Sequence, residues 1–279
     1  MPNSDSTNRK VEYPVDNSAR ELHRLMRQAV LLDPLTRPFL REAGLRTGMR
    51  VLDVGSGAGD VAFLAADIVG PTGRVIGVDR SASAVAIART RAEAAGLSHV
   101  RFLQADPAER AFDEPFDAVV GRLVLMYYPD PVEALRRLVT HLRPGGLVAV
   151  QEADYHGRWS TPPARSYDQC MRWIRDVLTA VGAHTDLGFR LYSVFSDAGL
   201  DAPRLSACAS VGGGPDFEGY GIVAEIVRGM LPNLERFGIA TAEQVRMASL
   251  EARMRDEVVA SGGVVVVATL VGAWARAPR

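Results

Sequence analysis

The spacing of apolar residues changes along the chain, and the changes divide it. In "SARELHRLMRQAVLL", Leu22, Leu25, Met26, Ala29 and Leu32 recur at helical intervals. "PLTRPFLREAGL" predicts a second helix, entered through Asp33 as N-cap with Pro34 in its first turn and stopped at Gly44. From Arg50 the period shortens. The strands "RVLDVG", "GRVIGVD", "VRFLQAD", "FDAVVG" and "LVAVQEA" alternate with the helices "DVAFLAADIVG", "SASAVAIARTRAEAAG" and "DPVEALRRLVTHL", and "RPGG" predicts the turn into the fifth strand.

Short, nearly continuous apolar strands separated by amphipathic helices predict an α/β fold. The sheet is doubly wound and mostly parallel, with helices on both faces. Past Trp159 the alternation loosens into two helices, "PARSYDQCMRWIRDVLTAVG" and "GFRLYSVFSDAGL", and a strand, "APRLSACASVG". Two helical stretches follow, over 217–237 and 241–260, before the valine-rich strand "VVVVATLVGAWA" closes a seven-stranded sheet. Residues 1–16, rich in Asn, Ser, Asp and Pro, are expected to be a mobile leader. Residues 17–279 are expected to be one domain, with a helical cover over 17–44, a ligand-binding core over 45–152 and a more variable side over 153–279.

Composition removes several classes. Lys and Arg number 32 against 33 acids, so the net charge of −1 leaves no footprint for nucleic acid. Cys170 and Cys208 lack metal or CxxC spacing and suit packing in a reduced compartment. No metal site is expected. The polar N-terminus has no apolar signal region, and the most apolar segment, Val264 to Trp274, is too short to span a bilayer, so the expected location is cytoplasmic with no membrane partner.

The chemistry concentrates at the carboxyl ends of the predicted strands, where open α/β sheets bind ligands. Gly55, Asp79, Asp106, Arg122 and Glu152 all fall there. In "VLDVGSGAGD" the spacing Gly55-x-Gly57-x-Gly59 puts Asp60 where a dinucleotide fingerprint has its third glycine, and an acid there opposes a phosphate. Asp60 also suits the first turn of the following helix, where it complements the helix dipole.

The loop with Asp53 ahead of it resembles motif I of the class I S-adenosylmethionine-dependent methyltransferases. "VIGVDRS", "LQADPAE" and the run from "FDAVVG" to the Pro-Gly-Gly segment extend the resemblance from about Leu45 to Glu152. It implies S-adenosylmethionine as cofactor and S-adenosylhomocysteine as product. Asp53 would orient the ammonium, with Gly55, Ser56 and Gly57 along the methionine and ribose. Asp79, with Arg80 next to it, would take the ribose hydroxyls. Asp106 would take the adenine amino group, flanked by Ala105 and Pro107. Arg122 would meet the cofactor carboxylate or pair with Asp53, and Gln28 would reach in from the N-terminal helices.

Methyl transfer has no universal catalytic residue, because the donor already carries its leaving group and the protein chiefly positions the reactants. His156, in the loop "QEADYHGRW", and His23 are the candidate bases. Tyr13, Tyr128, Tyr155 and Trp159 are candidate walls of an acceptor pocket. The strand-four end, "GRLVLMYYPD", lacks the tetrapeptide of nucleobase amino-methylating enzymes. The resemblance is to small-molecule enzymes of the quinone-biosynthetic and natural-product tailoring kind, with the acceptor atom open among O, N and electron-rich C. A helical insertion at about 216–260, carrying Phe217, Tyr220, Ile222, Ile226, Met230, Leu231 and Phe237, suits a lid over an apolar acceptor, or equally core packing or a homodimer interface. The alternatives are a cofactor-binding protein that does not methylate and a dinucleotide-dependent oxidoreductase.

Overall fold

The computed structural model of the protein describes residues 19–279, with side chains from Arg24 onward. The expected leader, Tyr13 and the side chain of His23 lie outside the described residues. Parallel strands β1 (Arg50–Val54), β2 (Arg74–Asp79), β3 (Val100–Gln104), β4 (Phe116–Arg122) and β5 (Leu142–Asp154) alternate with α2 (Asp60–Val69), α3 (Ala82–Ala94) and α4 (Pro131–Val139). A two-residue strand β6 (Ser160–Thr161), α5 (Arg165–Ala180), α6 (Leu187–Asp197), β7 (Arg204–Gly212) and α7 (Gly219–Arg236) follow. The short α8 (Ala242–Val245), α9 (Leu250–Ala260) and β8 (Val264–Arg276) complete the described chain.

The sheet runs β3-β2-β1-β4-β5-β8, with β7 along the other side of β8 and β6 at its beginning. β8 is antiparallel to both β5 and β7. The mostly parallel, doubly wound sheet is as expected, and β6 adds an eighth strand by pairing Ser160 with Val265. Period-two alternation sorts the core. Val51, Val75, Ala118, Val120 and Ala149 pack under α1 (Ala19–Ala43), α2 and α3, whereas Leu52, Val54, Val119, Val148 and Val150 face α4 to α7. The chain order reverses between β1 and β4, which opens the crevice at their carboxyl ends.

Two expectations require correction. The N-terminal helices form one helix, α1, with Pro34 and Pro38 inside it. Tertiary contacts override the local break: Leu32, Phe39 and Leu40 are buried, Thr36 Oγ1 donates to the Leu32 carbonyl, and Asp33 binds a distant arginine in place of capping. Gly44 does end the helix, at φ +109°, with Leu45 N donating to Leu40 O. The "RPGG" segment is not a turn before β5 but an irregularity within it. Phe116 pairs with Leu142 and Ala118 with Leu147, so extra residues bulge out, and Gly145 and Gly146 bond to Pro278 and Ala277.

Candidate functional site

The three glycines after β1 do different jobs. All have positive φ, +65° at Gly55, +50° at Gly57 and +96° at Gly59. A Cβ on Gly55 would stand 2.4 Å from Val124 Cγ2, and one on Gly59 would stand 2.8 Å from Phe102 Cζ, so these two permit close packing. Gly57 meets nothing nearer than Leu25 Cδ1 at 4.0 Å and opens into a cavity of about 510 Å³. Asp79 pins this loop to the end of β2. Its Oδ2 accepts the Gly57 amide at 2.8 Å and its Oδ1 the Ser81 amide at 2.8 Å, while the residue itself lines the cavity. Asp60, in the first turn of α2, pairs with Arg91 Nη1 at 2.8 Å.

Below the loop, Asp53 and Ser56 are buried, and neither the Asp53 carboxylate oxygens nor Ser56 Oγ makes a hydrogen bond of ordinary geometry. Burial holds the Asp53 carboxyl well above the usual carboxylate range; the charge of Arg122 opposes this, and Asp79 adds to it. Arg122 pairs with Asp33 and not with Asp53. Its Nη1 donates to Asp33 Oδ1 at 3.0 Å and Thr36 Oγ1 at 2.9 Å, tying the end of β4 to α1 while still lining the cavity.

Asp106 is engaged within the protein. Its carboxylate pairs with Arg80 Nη2 at 2.5 Å and accepts the Tyr128 hydroxyl at 3.1 Å and the Ala108 amide at 3.0 Å. Arg80 in turn lies over the Tyr128 ring, 4.8 Å from its centroid. Arg80, Pro107 and Tyr128 line the cavity; Asp53, Ala105 and Asp106 stand behind its wall. Burial and the Asp106 charge raise the Tyr128 pKa above its ordinary value, so its phenol stays protonated.

The other half of the cavity is apolar. α5 supplies Met171, Ile174 and Leu178, α7 supplies Val223, Ile226 and Met230, and β8 supplies Val267 and Ala268. Of the late apolar residues expected over the cleft, Ile226 and Met230 line it, whereas Tyr220 and Ile222 are core. α1 adds Arg24 and Gln28 to the cavity lining, and Tyr155 joins it just beyond β5. Burial pushes the Tyr155 phenol up to about 12, with Arg24 opposing.

His156 is a correction to its expected role. The backbone turns after Asp154, whose Oδ2 accepts the His156 amide at 3.2 Å, and the exposed ring reaches Thr185 Oγ1 at 3.1 Å, outside the cavity lining. Trp159 likewise lies beyond the cavity, under the Arg175 guanidinium. Among the described residues, no histidine lines the cavity.

Glu152 is fully buried at the end of β5 and works from behind the wall. Its Oε1 accepts the Val124 amide at 3.1 Å and the Leu125 amide at 2.8 Å, holding the turn that leads to Tyr128. Leu123, at the start of that turn, has φ +56°, unusual for a branched side chain. Burial raises the Glu152 carboxyl to about 7 against the pull of these amides.

The α5 wall and Arg24 were absent from the expected site. Met171, Ile174 and Leu178 follow a legible helical stripe, but a stripe does not say which neighbour it faces. No helix among the described residues is long and apolar enough to cross a membrane.

Comparison with known proteins agrees with the loop and the sheet. A ubiquinone/menaquinone biosynthesis C-methyltransferase of Pseudomonas savastanoi is 39% identical over 112 residues, covering 39% of this chain and 44% of the relative. A 2-phytyl-1,4-naphtoquinone methyltransferase of Synechococcus elongatus is 35% identical over 142 residues, covering 50% of this chain and 60% of the relative. The chain thus spans less than two thirds of the length of these relatives. Among solved structures, a putative methyltransferase from Bacillus halodurans shares the fold with a TM-score of 0.58 at 19% identity, covering 87% of this chain and 98% of that one. Residues 45–199, more than half the chain and the span that holds the glycine loop, Asp79, Arg122 and the α5 wall, match the methyltransferase domain family, and the chain belongs to it.

Proposed function

We propose that the protein transfers a methyl group from S-adenosylmethionine to an oxygen, nitrogen or electron-rich carbon of a small apolar or aromatic molecule, releasing S-adenosylhomocysteine. The observation that carries this reading is one cavity with two unlike ends, a glycine loop with a carboxylate at one and a sleeve of aliphatic side chains at the other.

The residues suit the cofactor. Asp79 keeps lone pairs free for ribose hydroxyls after accepting two amides, and the open face of Gly57 leaves room for a ligand against bare backbone. Buried Asp53 and Ser56 Oγ, which make no hydrogen bond of ordinary geometry, offer acceptors beneath the loop for an ammonium or a bridging water. Asp60 near the start of α2 disfavours a pyrophosphate, which argues against a dinucleotide. The group supplies an activated methyl on a cationic sulfur when bound.

The chain's own part is positional. α1, α5 and α7 close over the site and exclude water, and the Arg122 link to Asp33 holds α1 in register with the strand ends. The phenols of Tyr128 and Tyr155 are held protonated, so neither takes a proton from the acceptor; the Tyr128 hydroxyl already donates to Asp106, and Tyr155 is the phenol in the wall that would donate to an acceptor oxygen.

Calorimetric titration with S-adenosylmethionine, S-adenosylhomocysteine and NADH, followed by mass spectrometry of a panel of phenols, hydroquinones, indoles and amines, tests the reading. Binding of the two sulfur ligands but not NADH, with a gain of one methyl group on a panel member, is expected. Binding without methylation would favour a non-methylating role. Failure of both sulfur ligands to bind would sink the proposal.

A further inference from the structure

We propose that the protein associates with a second copy of itself through the outer edge of β7, the two strands pairing antiparallel about a two-fold axis at Cys208. The association is independent of the methyl-transfer reading.

β7 pairs with β8 alone among the described strands, so every second one of its nine residues turns an amide and a carbonyl away from the sheet. Sheet edges are normally blunted by charge, proline or brevity. The only charge in β7, Arg204, folds onto the α1 side, where its guanidinium lies 5.1 Å from the Trp274 ring centroid and pairs with Glu42 at 3.8 Å. The one irregularity of the ladder is an extra residue in β8, Val267, so β7 itself runs unbroken.

The other face of β7 is apolar throughout. Leu205, Ala207 and Ala209 stand opposite Ala273, Val271 and Thr269 of β8, and Val211 continues the row. This is the face that carries α6, since a Cβ on Gly188 would stand 3.2 Å from Val271 Cγ2. α4 packs along one flank of α6, and Tyr192, one turn after Gly188, borders the β7 row on the other flank with Phe189 beside it. Phe189 at 64%, Tyr192 at 56%, Val211 at 53% and Leu205 at 38% make up half of the exposed large apolar side chains among the described residues.

The pattern of the strand selects its occupant. Pairing about Cys208 sets Leu205 against the partner's Val211 and Ala207 against the partner's Ala209, large on large and small on small, each contact made twice by symmetry. These six side chains expose roughly 500 Å², taking about 200 Å² for a whole aromatic side chain, and the strand edge adds backbone toward the ~800 Å² per partner of a stable interface. A lipid surface would meet the same side chains but would leave the edge amides and carbonyls unsatisfied, whereas a second β7 pairs them.

Sedimentation equilibrium of the full chain tests the pairing. The wild type is expected at twice the chain mass at micromolar concentration. Leu205→Glu and Val211→Lys should each weaken the dimer at least about a hundredfold, because each puts two unpaired charges per dimer against apolar neighbours. Leu205→Glu combined with Val211→Lys should restore it, since the introduced acid stands opposite the partner's introduced base. Melting curves show whether each variant folds. A second measurement needs no variant: the axis sets Cys208 beside its own copy, at a Cα separation that a disulfide spans, so mild oxidation should link two chains. Cys170, buried in the core, should not react.

A wild type that stays monomeric at tens of micromolar would overturn the proposal, and if it then bound phospholipid vesicles in a way that Leu205→Glu abolished, the face would belong to a membrane. A dimer that survives Leu205→Glu and does not link through Cys208 would place the contact elsewhere on the surface. Loss of the dimer in both single variants without recovery in the combined one would overturn the pairing about Cys208.

Discussion

Arg122 Nη1 stands 3.0 Å from Asp33 Oδ1, joining the last residue of β4 to the middle of α1 on either side of the crevice. The arginine side chain is 8% exposed and the aspartate 32%, so removing the cation leaves an acid that can still reach water. Arg122→Met should therefore cost about 2–3 kcal/mol, below the range for a fully buried pair. Part of that loss comes from Asp53, whose burial Arg122 offsets. Asp33→Asn keeps an acceptor and should cost less. Urea unfolding measures both, and faster amide exchange in α1 than in β1 would locate the loss at the helix.

Glu152 gives a pH dependence with a definite sign. Its carboxyl titrates at about 7 in the folded protein against an ordinary 4.5, so between those values the native state holds a proton that the unfolded chain has lost. Its contribution is fully present below about pH 4.5 and is lost as pH rises through 7. Glu152→Gln keeps an oxygen for the Val124 and Leu125 amides but cannot ionise. The stability difference between wild type and Glu152→Gln should shift in favour of the variant by roughly 3 kcal/mol from pH 4.5 to pH 8. Equal slopes of unfolding midpoint against pH for the two proteins would refute this.

The glycine loop and Asp79 were legible in sequence because their constraints are local: positive φ, a strand end and an acid two residues from the amide it accepts. The break expected at Asp33-Pro34 was also a sound local inference, since that dipeptide starts helices. It failed because Arg122, 89 residues away, binds Asp33 and Thr36 and holds the helix through the proline. The Pro-Gly-Gly segment misled for a similar reason, as its partner is the chain's far end. His156 lies on the expected loop, but Asp154 and Thr185 set its direction. Arg24 carried no signal, because a polar residue in an amphipathic helix reads as solvated until the neighbouring helices are in place.

Asp79 should matter twice, as an anchor of the loop and as a ligand. Asp79→Ala removes the acceptor of the Gly57 and Ser81 amides as well as the lone pairs facing the cavity. The expected loss in S-adenosylhomocysteine affinity is about 1.5–3 kcal/mol, as for charged hydrogen bonds. Asp79→Asn, which retains one carbonyl oxygen, should fall between. Calorimetry on the two variants separates the contributions, and unchanged affinity in Asp79→Ala would remove the residue from the cofactor site.

Gly59 offers a test of the loop that leaves every polar group in place. At φ +96° an alanine is strained, and its Cβ would meet Phe102 Cζ at 2.8 Å and Phe63 Cε2 at 2.9 Å, an aromatic pair packed edge to face. The Phe102 ring cannot recede freely, because it is buried in the core beneath α2 and α3. Gly59→Ala should destabilise the fold by about 1–3 kcal/mol through strain and overpacking.

The apolar sleeve separates acceptor from cofactor most directly. Ile226 lines the cavity from α7 and makes none of the polar contacts at the glycine loop. Ile226→Trp adds bulk inside a cavity of about 510 Å³, where little room remains once cofactor and acceptor are both present. The expected result is a rise of at least about tenfold in KM for the acceptor, an effect on ground-state binding, with S-adenosylhomocysteine affinity within about twofold of wild type. A matched loss of cofactor affinity would mean that the sleeve and the loop serve one ligand, and an unchanged KM would put the acceptor elsewhere. Because the side chain sits on a lining helix face, folding of the variant can be checked by its melting curve before either constant is read.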